Sequence, residues 1–200
     1  HPDEDHLGGL PALLREVSVG RIVRSGRAAG SDLYKDVQGL VDEMSVSQRV
    51  VRRGDTLNVG PTLRARILSP PHNAGRRGIE SRNNASVVLR LRYGEVSVLL
   101  PGDVEAAVER DLVRTYGSQL QSQIVKVPHH GSSTSSSSAF VEAVSGKEGS
   151  SYAVVSVGRN EQYDMPDDEV IARWRENGVS VRSTARNGAV WLRTNGRKVW

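Results

Sequence analysis

From Ala85 to the end of the chain, strand and helix signals alternate, and this alternation narrows the possible folds more than any other feature. Ala85 to Tyr93 and Val96 to Leu100 read as a strand pair joined at Gly94. Val104 to Tyr116 has the period of an amphipathic helix. Ile124 to Val127 predicts a buried strand, Ser135 to Val144 a helix and Tyr152 to Val157 a strand. Asp167 to Glu176 then predicts a helix, Val179 to Ser183 a strand, and Val190 to Arg193 a last strand. Upstream, Leu10 to Glu16 reads as a short helix after the Gly8-Gly9 turn, and Val17 to Val23 as a strand. Ser31 caps an expected helix through about Met44, with Leu33, Val37, Leu40, Val41 and Met44 on one face. Gln48 to Val51, Thr56 to Val59 and Leu63 to Leu68 predict short strands, and Pro70 to Arg77 a loop. Strands clustered in the middle, followed by alternation, define a layered α/β domain with a mixed sheet. Two hundred residues are enough for one such domain with a sizeable core, and the chain shows no repeat or interdomain linker.

Residues able to ligate a metal fall at the ends of these elements. The opening run holds His1, Asp3, Asp5 and His6, expected on a loop leading into a helix. The chain has five histidines, and two more stand together at His129 and His130, closing the strand from Ile124. Asp103 closes another strand within Gly102-Asp103. In layered α/β folds, ligands converge on strand ends. Imidazoles with carboxylates suit Zn²⁺ or Mn²⁺. These residues supply enough donors for two divalent ions if Asp103 bridges them. Ions about 3.5–4 Å apart can hold a hydroxide and clamp both oxygens of an in-line displacement at phosphorus. No Gly-x-Ser-x-Gly elbow offers a competing nucleophile. Each piece alone has a plainer reading: a solvated acidic turn, a helix cap, an incidental histidine pair.

Taken in order, the pieces form a pattern. His-x-Asp-x-Asp-His-x-Gly-Gly spans His1 to Gly9, Leu-Leu-x-Gly-Asp-x-Glu spans Leu99 to Glu105, and Val-Pro-His-His-Gly-Ser with its serine run spans Val127 to Ser138. Asn84-Ala-Ser-Val-Val-Leu and Ser156-Val-Gly-x-Asn-x-x-Tyr163 complete it. The whole chain resembles the metallo-β-lactamase-like domain of ComEC competence proteins. The resemblance implies an αββα sandwich with a metal site at one edge, and a single domain over residues 1–200. It also implies strands before the first motif, so the chain is expected to be a piece of a longer domain. Carried over, His1 and Asp3 would hold one metal, Asp5 and His6 the second, Asp103 would bridge, and His130 or His129 would complete a shell. Asp5 and Asp103 would then be central to catalysis. Ser132 and Ser136, with the amides of the following helix start, would hold a phosphate, and Asn160 and Tyr163 a phosphate or base. Two departures stand out. The one histidine between the first motif and Gly102-Asp103 is His72, read as a loop residue. Where the family often has Tyr-Gly-His-Pro, this chain has Tyr163-Asp164-Met165-Pro166, and Met cannot give a proton or bind phosphate.

Formal charge is +4, and Lys occurs only at Lys35, Lys126, Lys147 and Lys198, so most cations are Arg. Guanidinium forks suit phosphate oxygens, although a GC-rich genome would enrich Arg too. There is no cysteine, hence no disulfide or thiolate ligand. No apolar run approaches the roughly 18 residues of a membrane span, and no signal peptide is evident. The expected function is a metal-dependent phosphodiesterase acting on DNA, in family terms the nuclease that degrades the strand not transported during DNA uptake. DNA, and a membrane channel region of the same parent protein, are the expected partners. The expected location is the extracytoplasmic face of the cell membrane, or cytoplasmic or secreted if the domain is free-standing. Two alternatives remain open: a hydrolase of a small ester, lactone or phosphodiester, and a non-catalytic DNA-binding or channel-associated module with a degenerate site.

Overall fold

The computed structural model describes residues 1–72, 81–145, 151–158 and 165–200. A large sheet carries seven strands in the order β3 (Thr56–Asn58), β4 (Leu63–Ser69), β5 (Val88–Tyr93), β6 (Val96–Leu100), β7 (Ile124–Lys126), β8 (Tyr152–Val155) and β9 (Ser180–Ser183). Pairing is antiparallel from β3 to β6 and parallel from β6 to β9. The switch follows from the connections. A tight turn at Gly94 joins β5 to β6, whereas helices α4 (Ala106–Tyr116), α5 (Ser138–Ser145) and α6 (Asp168–Glu176) lie between the parallel strands.

Those three helices cover one face of the sheet. Val108 and Leu112 of α4, Phe140 and Val141 of α5, and Trp174 of α6 form one buried cluster with Leu99, Val125 and Ala153 from the strands. Each fully buried side chain of this size contributes about 1.5–3 kcal/mol. Successive residues of a strand face opposite ways, so Ala65 and Ile67 of β4 look toward the other face, and they are buried as well. A second, parallel sheet holds β1 (Arg21–Arg24) and β2 (Ser47–Val50). It packs with α2 (Leu10–Glu16) and α3 (Asp32–Glu43) around Leu14, Val37 and Val41. Ser31 caps α3 as expected, accepting from the Tyr34 amide at 3.3 Å. The layers are those of an αββα sandwich.

Two strand expectations are corrected. Of Val17 to Val23 only residues 21–23 pair, in a strand that runs on to Arg24, because β2 offers a partner over those residues alone. Val190 to Arg193 is not a strand of either sheet. Arg193 instead exchanges backbone hydrogen bonds with Trp200, so its pairing closes a terminal turn. The opening motif also differs: Glu4–Leu7 forms a single helical turn, α1, rather than a loop. His72 is an exposed turn residue, as expected.

Candidate metal centre

Three adjacent parallel strands deliver site residues at their C-terminal ends. After β6 the chain turns at Gly102, whose φ is +64°. A Cβ there would come within 2.7 Å of the Ser86 side chain, so only glycine fits. The Asp103 amide donates to Ser86 Oγ at 3.0 Å. Glu105 N donates to Asn84 Oδ1, and Asn84 Nδ2 donates back to Glu105 Oε2, both at 2.9 Å. The Asn84-Ala85-Ser86 segment thus clamps the loop that presents Asp103, which is 1 % exposed.

Beyond β7, His129 and His130 both take left-handed backbone angles, φ +47° and +54°. Each such residue costs on the order of 1–3 kcal/mol. The turn is tied down by His129 N donating to the Gly102 carbonyl and Ser132 N donating to the His129 carbonyl. His130 Nδ1 lies 2.6 Å from the carbonyl of Ser156, just past β8. A carbonyl only accepts, so Nδ1 carries the proton and Nε2 presents a lone pair, the usual tautomer lock of a metal-ligating histidine. His130 Nε2 stands 3.2 Å from Asp103 Oδ2 and 3.3 Å from Asp5 Oδ2. His129 is placed differently. Its ring nitrogens lie 3.0 Å from Thr134 Oγ1 and 3.4 Å from Asn83 Nδ2.

The opening motif reaches the same point from the other side. His6 Nε2 is 2.9 Å from Asp103 Oδ2 and 3.7 Å from Asp5 Oδ2. Ligand atoms of Asp5, His6, Asp103 and His130 all lie within 4.8 Å of one another. His1 Nε2 lies 3.3 Å from Asp103 Oδ2, and His1 Nδ1 lies 3.5 Å from Asp3 Oδ2. Two donor groups therefore share Asp103: His1 with Asp3, and Asp5 with His6 and His130. The other predicted ligand, His129, lies on the same cavity wall but outside the four-residue cluster.

Electrostatics fit this layout. Burial would raise the Asp103 carboxyl, but His1, His130, His6 and Lys126 outweigh it and hold it far below the usual carboxylate range. Asp103 in turn pushes His130 up. Burial pushes His129 down. Lys126 was missed by the sequence reading. Its Nζ reaches Asp103 Oδ1 at 3.3 Å, and burial lowers its pKa despite that partner. The signal was there: a lone Lys in the apolar run Ile124-Val125-Lys126-Val127.

The residues fit a divalent cation. Both ring nitrogens of His1 are buried without a hydrogen-bond partner, while Asp3 Oδ1 pairs with Arg82 Nε at 3.1 Å. Buried polar atoms are nearly always satisfied, and orphans call for an explanation. Imidazoles and carboxylates aimed at a common point are the donor set such a cation takes.

The serine run is partly corrected. Ser132 is half-buried beside His129, its Oγ 3.1 Å from Thr134 Oγ1. Ser136, expected to contact phosphate, is fully buried. Its amide donates to Glu109, its Oγ accepts from Trp174 Nε1 at 3.2 Å, and its carbonyl accepts from Arg173 at 2.7 Å. The Ser137 amide donates to the other Glu109 oxygen at 2.8 Å. A buried glutamate thus takes the amides assigned above to a phosphate, and burial pushes that carboxyl up. Asn160 and Tyr163 lie outside the described residues. The cluster opens into a cavity of about 830 Å³ whose wall includes Asn83, Met165 and Thr184.

A mixed sheet between helical layers, with imidazoles and carboxylates gathered at its strand ends, defines a metallo-hydrolase-like sandwich. The chain belongs to the metallo-beta-lactamase superfamily, whose family model matches residues 1–149. It is 30 % identical over 199 residues to ComE operon protein 3 of Bacillus subtilis, and 34 % identical over 195 residues to competence protein ComA of Neisseria gonorrhoeae. These matches cover 98 % and 95 % of the chain but 24 % of each relative, so it spans about a quarter of their length. Among solved structures, Zn(2+)-bound PqqB from Methylobacterium extorquens shares the fold, with a TM-score of 0.51 at 15 % identity over 92 % of this chain and 66 % of that one.

Proposed function

We propose that this chain is a metal-dependent phosphodiesterase acting on DNA, with two divalent cations, Mn²⁺ or Zn²⁺. One observation carries the reading: two donor groups share a single buried aspartate, Asp103, at an open cavity. His1 and Asp3 would hold one cation, Asp5, His6 and His130 the other, and Asp103 both. Cations in such a site supply a water acidified to near neutral pH and positive charge at phosphorus. The protein's own groups do the rest. Lys126 and the imidazoles keep Asp103 ionised. Asp5, with a side chain 59 % exposed, is the ligand carboxylate that faces the open cavity. Met165 lines that cavity and has no proton to give a leaving oxygen.

DNA as substrate is supported by the Arg-rich charge balance and by the similarity to competence proteins. We infer that this domain lies on the extracytoplasmic face of the membrane in a longer parent protein, whose channel region passes one strand while this domain degrades the other. Among the described residues no helix is long and apolar enough to cross a membrane. A second reading, hydrolysis of a small ester or phosphodiester, is favoured by the size of the cavity, which matches small-molecule sites of about 300–1,000 Å³. Assays with Mn²⁺ or Zn²⁺ on single- and double-stranded DNA and on a small phosphodiester separate the two. DNA cleavage that disappears in Asp5→Ala supports the proposal. Undiminished cleavage in that variant refutes it.

A further inference from the structure

β4 and β5 pair so that Arg64 faces Arg92 and Arg66 faces Arg90. Directly opposed residues hold their Cβ atoms about 4.5–5.5 Å apart, and alternate residues along a strand are about 7 Å apart. Four guanidinium-bearing side chains therefore leave one face of the sheet as a two-by-two array. Nearer the metal centre the same face carries Leu68 and Val88, buried against α4. The array lies beyond them, where α4 ends at Tyr116, and with Leu68, Tyr116 and Gln119 it lines a concavity of about 250 Å³.

Among the described residues, no carboxylate lies within ion-pair distance of Arg64, Arg66, Arg90 or Arg92. Their contacts are neutral. Arg90 donates to Ser97 Oγ and the Gln121 carbonyl, Arg92 donates to the Gly94 carbonyl, and the Arg66 guanidinium lies 5.7 Å from the Tyr116 ring centre. Arg90 Nε is buried without a partner. Like charges directly opposed across strands destabilise a sheet. The repulsion is felt here: burial first, then Arg92 and Arg66, pushes the Arg90 pKa down. Surface arginines need no explanation, but two facing pairs without a counter-charge are a cost that a bound anion would offset.

We propose that Arg64, Arg66, Arg90 and Arg92 bind the phosphate backbone of a nucleic-acid strand, at a surface separate from the metal centre. Guanidinium forks match phosphate oxygens in pairs. The array is recessed, which suits a strand laid along it better than a flat lipid surface. The inference rests on the nucleic-acid reading of the function.

The test is binding of a fluorescent single-stranded oligonucleotide by the metal-free 200-residue chain across a salt series. Replacing all four residues by Gln should lower affinity at least about tenfold at low salt and reduce the slope of log K against log salt by about 3, at roughly 0.7 per phosphate contact. The melting temperature should hold or rise, because repulsion is removed. Should the quadruple variant not fold, Arg64→Gln with Arg92→Gln should reduce the slope by about 1. An unchanged slope in a folded variant overturns the proposal. So does wild-type binding to phosphatidylglycerol vesicles that the oligonucleotide cannot displace. Metal-dependent hydrolysis of bis(p-nitrophenyl) phosphate, too small to span the array, should stay at the wild-type rate. A wild-type chain that binds the strand but never cleaves DNA refutes the nuclease reading and leaves the array standing. Retained binding by the array variants refutes the array alone.

Discussion

The imidazole of His130 donates through Nδ1 to the carbonyl of Ser156, 2.6 Å away, and this one contact decides which of two adjacent histidines faces the cluster. His130→Ala should therefore lose bound metal and slow hydrolysis by more than about 100-fold, since losing only an outer-shell partner costs about 10–100-fold. His129→Ala should keep its metal. Metal content by mass spectrometry compares the two, and equal loss in both would overturn the assignment.

Asp103→Asn preserves shape and removes the shared charge. A ligand that binds only the folded state stabilises it by about 2.7 kcal/mol at 100 times its Kd. The wild-type chain should gain thermal stability on adding Mn²⁺ or Zn²⁺, and the Asn variant should not. A metal-induced rise of the same size in both would exclude Asp103 as a ligand.

Gly102→Ala meets two obstacles, a left-handed backbone and the Ser86 side chain 2.7 Å from the new methyl group. The backbone alone should cost about 1–3 kcal/mol. Adding Ser86→Gly removes the contact but keeps the backbone strain and loses the Asp103 amide's acceptor, so the double variant should recover only part of the loss. Denaturant unfolding measures each step, and full recovery would show that backbone angle is irrelevant here.

Asp111 sits between Arg53 and Arg114. Burial would raise its carboxyl, but Arg53 and then Arg114 hold it below the ordinary range. A folded-state pKa below the unfolded one, near 3.9, gives stability that is present above that value and lost as pH falls through the folded one. The side chain is 27 % exposed, so solvent screening limits the effect to about 1 kcal/mol or less. Asp111→Asn should be less stable than wild type at pH 7, and the difference should shrink as pH falls below the unfolded value and vanish once the folded-state carboxyl is protonated. A difference that persists there would assign it to packing.

The sequence carried most of this architecture because hydrophobic periodicity reports directly on burial, as at Val96–Leu100 and Asp168–Glu176. It failed where a pattern lacked a partner: Val190 to Arg193 alternates like a strand, yet pairs with the chain end. The residues that cluster, Asp5, His6, Asp103 and His130, stood out by type and order. The choice between His129 and His130 did not, since it depends on a carbonyl 26 residues away in sequence. Ser136 misled for a related reason. A serine before a helix looks like an anion contact, and only the fold reveals Glu109 occupying that place. The facing arginines were invisible as pairs, because strand register is set by long-range pairing.

The shared aspartate also sets an order of events. Its neighbours His6 and His130 are 97 and 27 positions away along the chain, on opposite sides. No local segment holds all of Asp5, His6, Asp103 and His130, so a half-synthesised or partly unfolded molecule lacks the assembled cluster. The cluster can exist only once the strands that carry its members have docked, and unfolding disperses it.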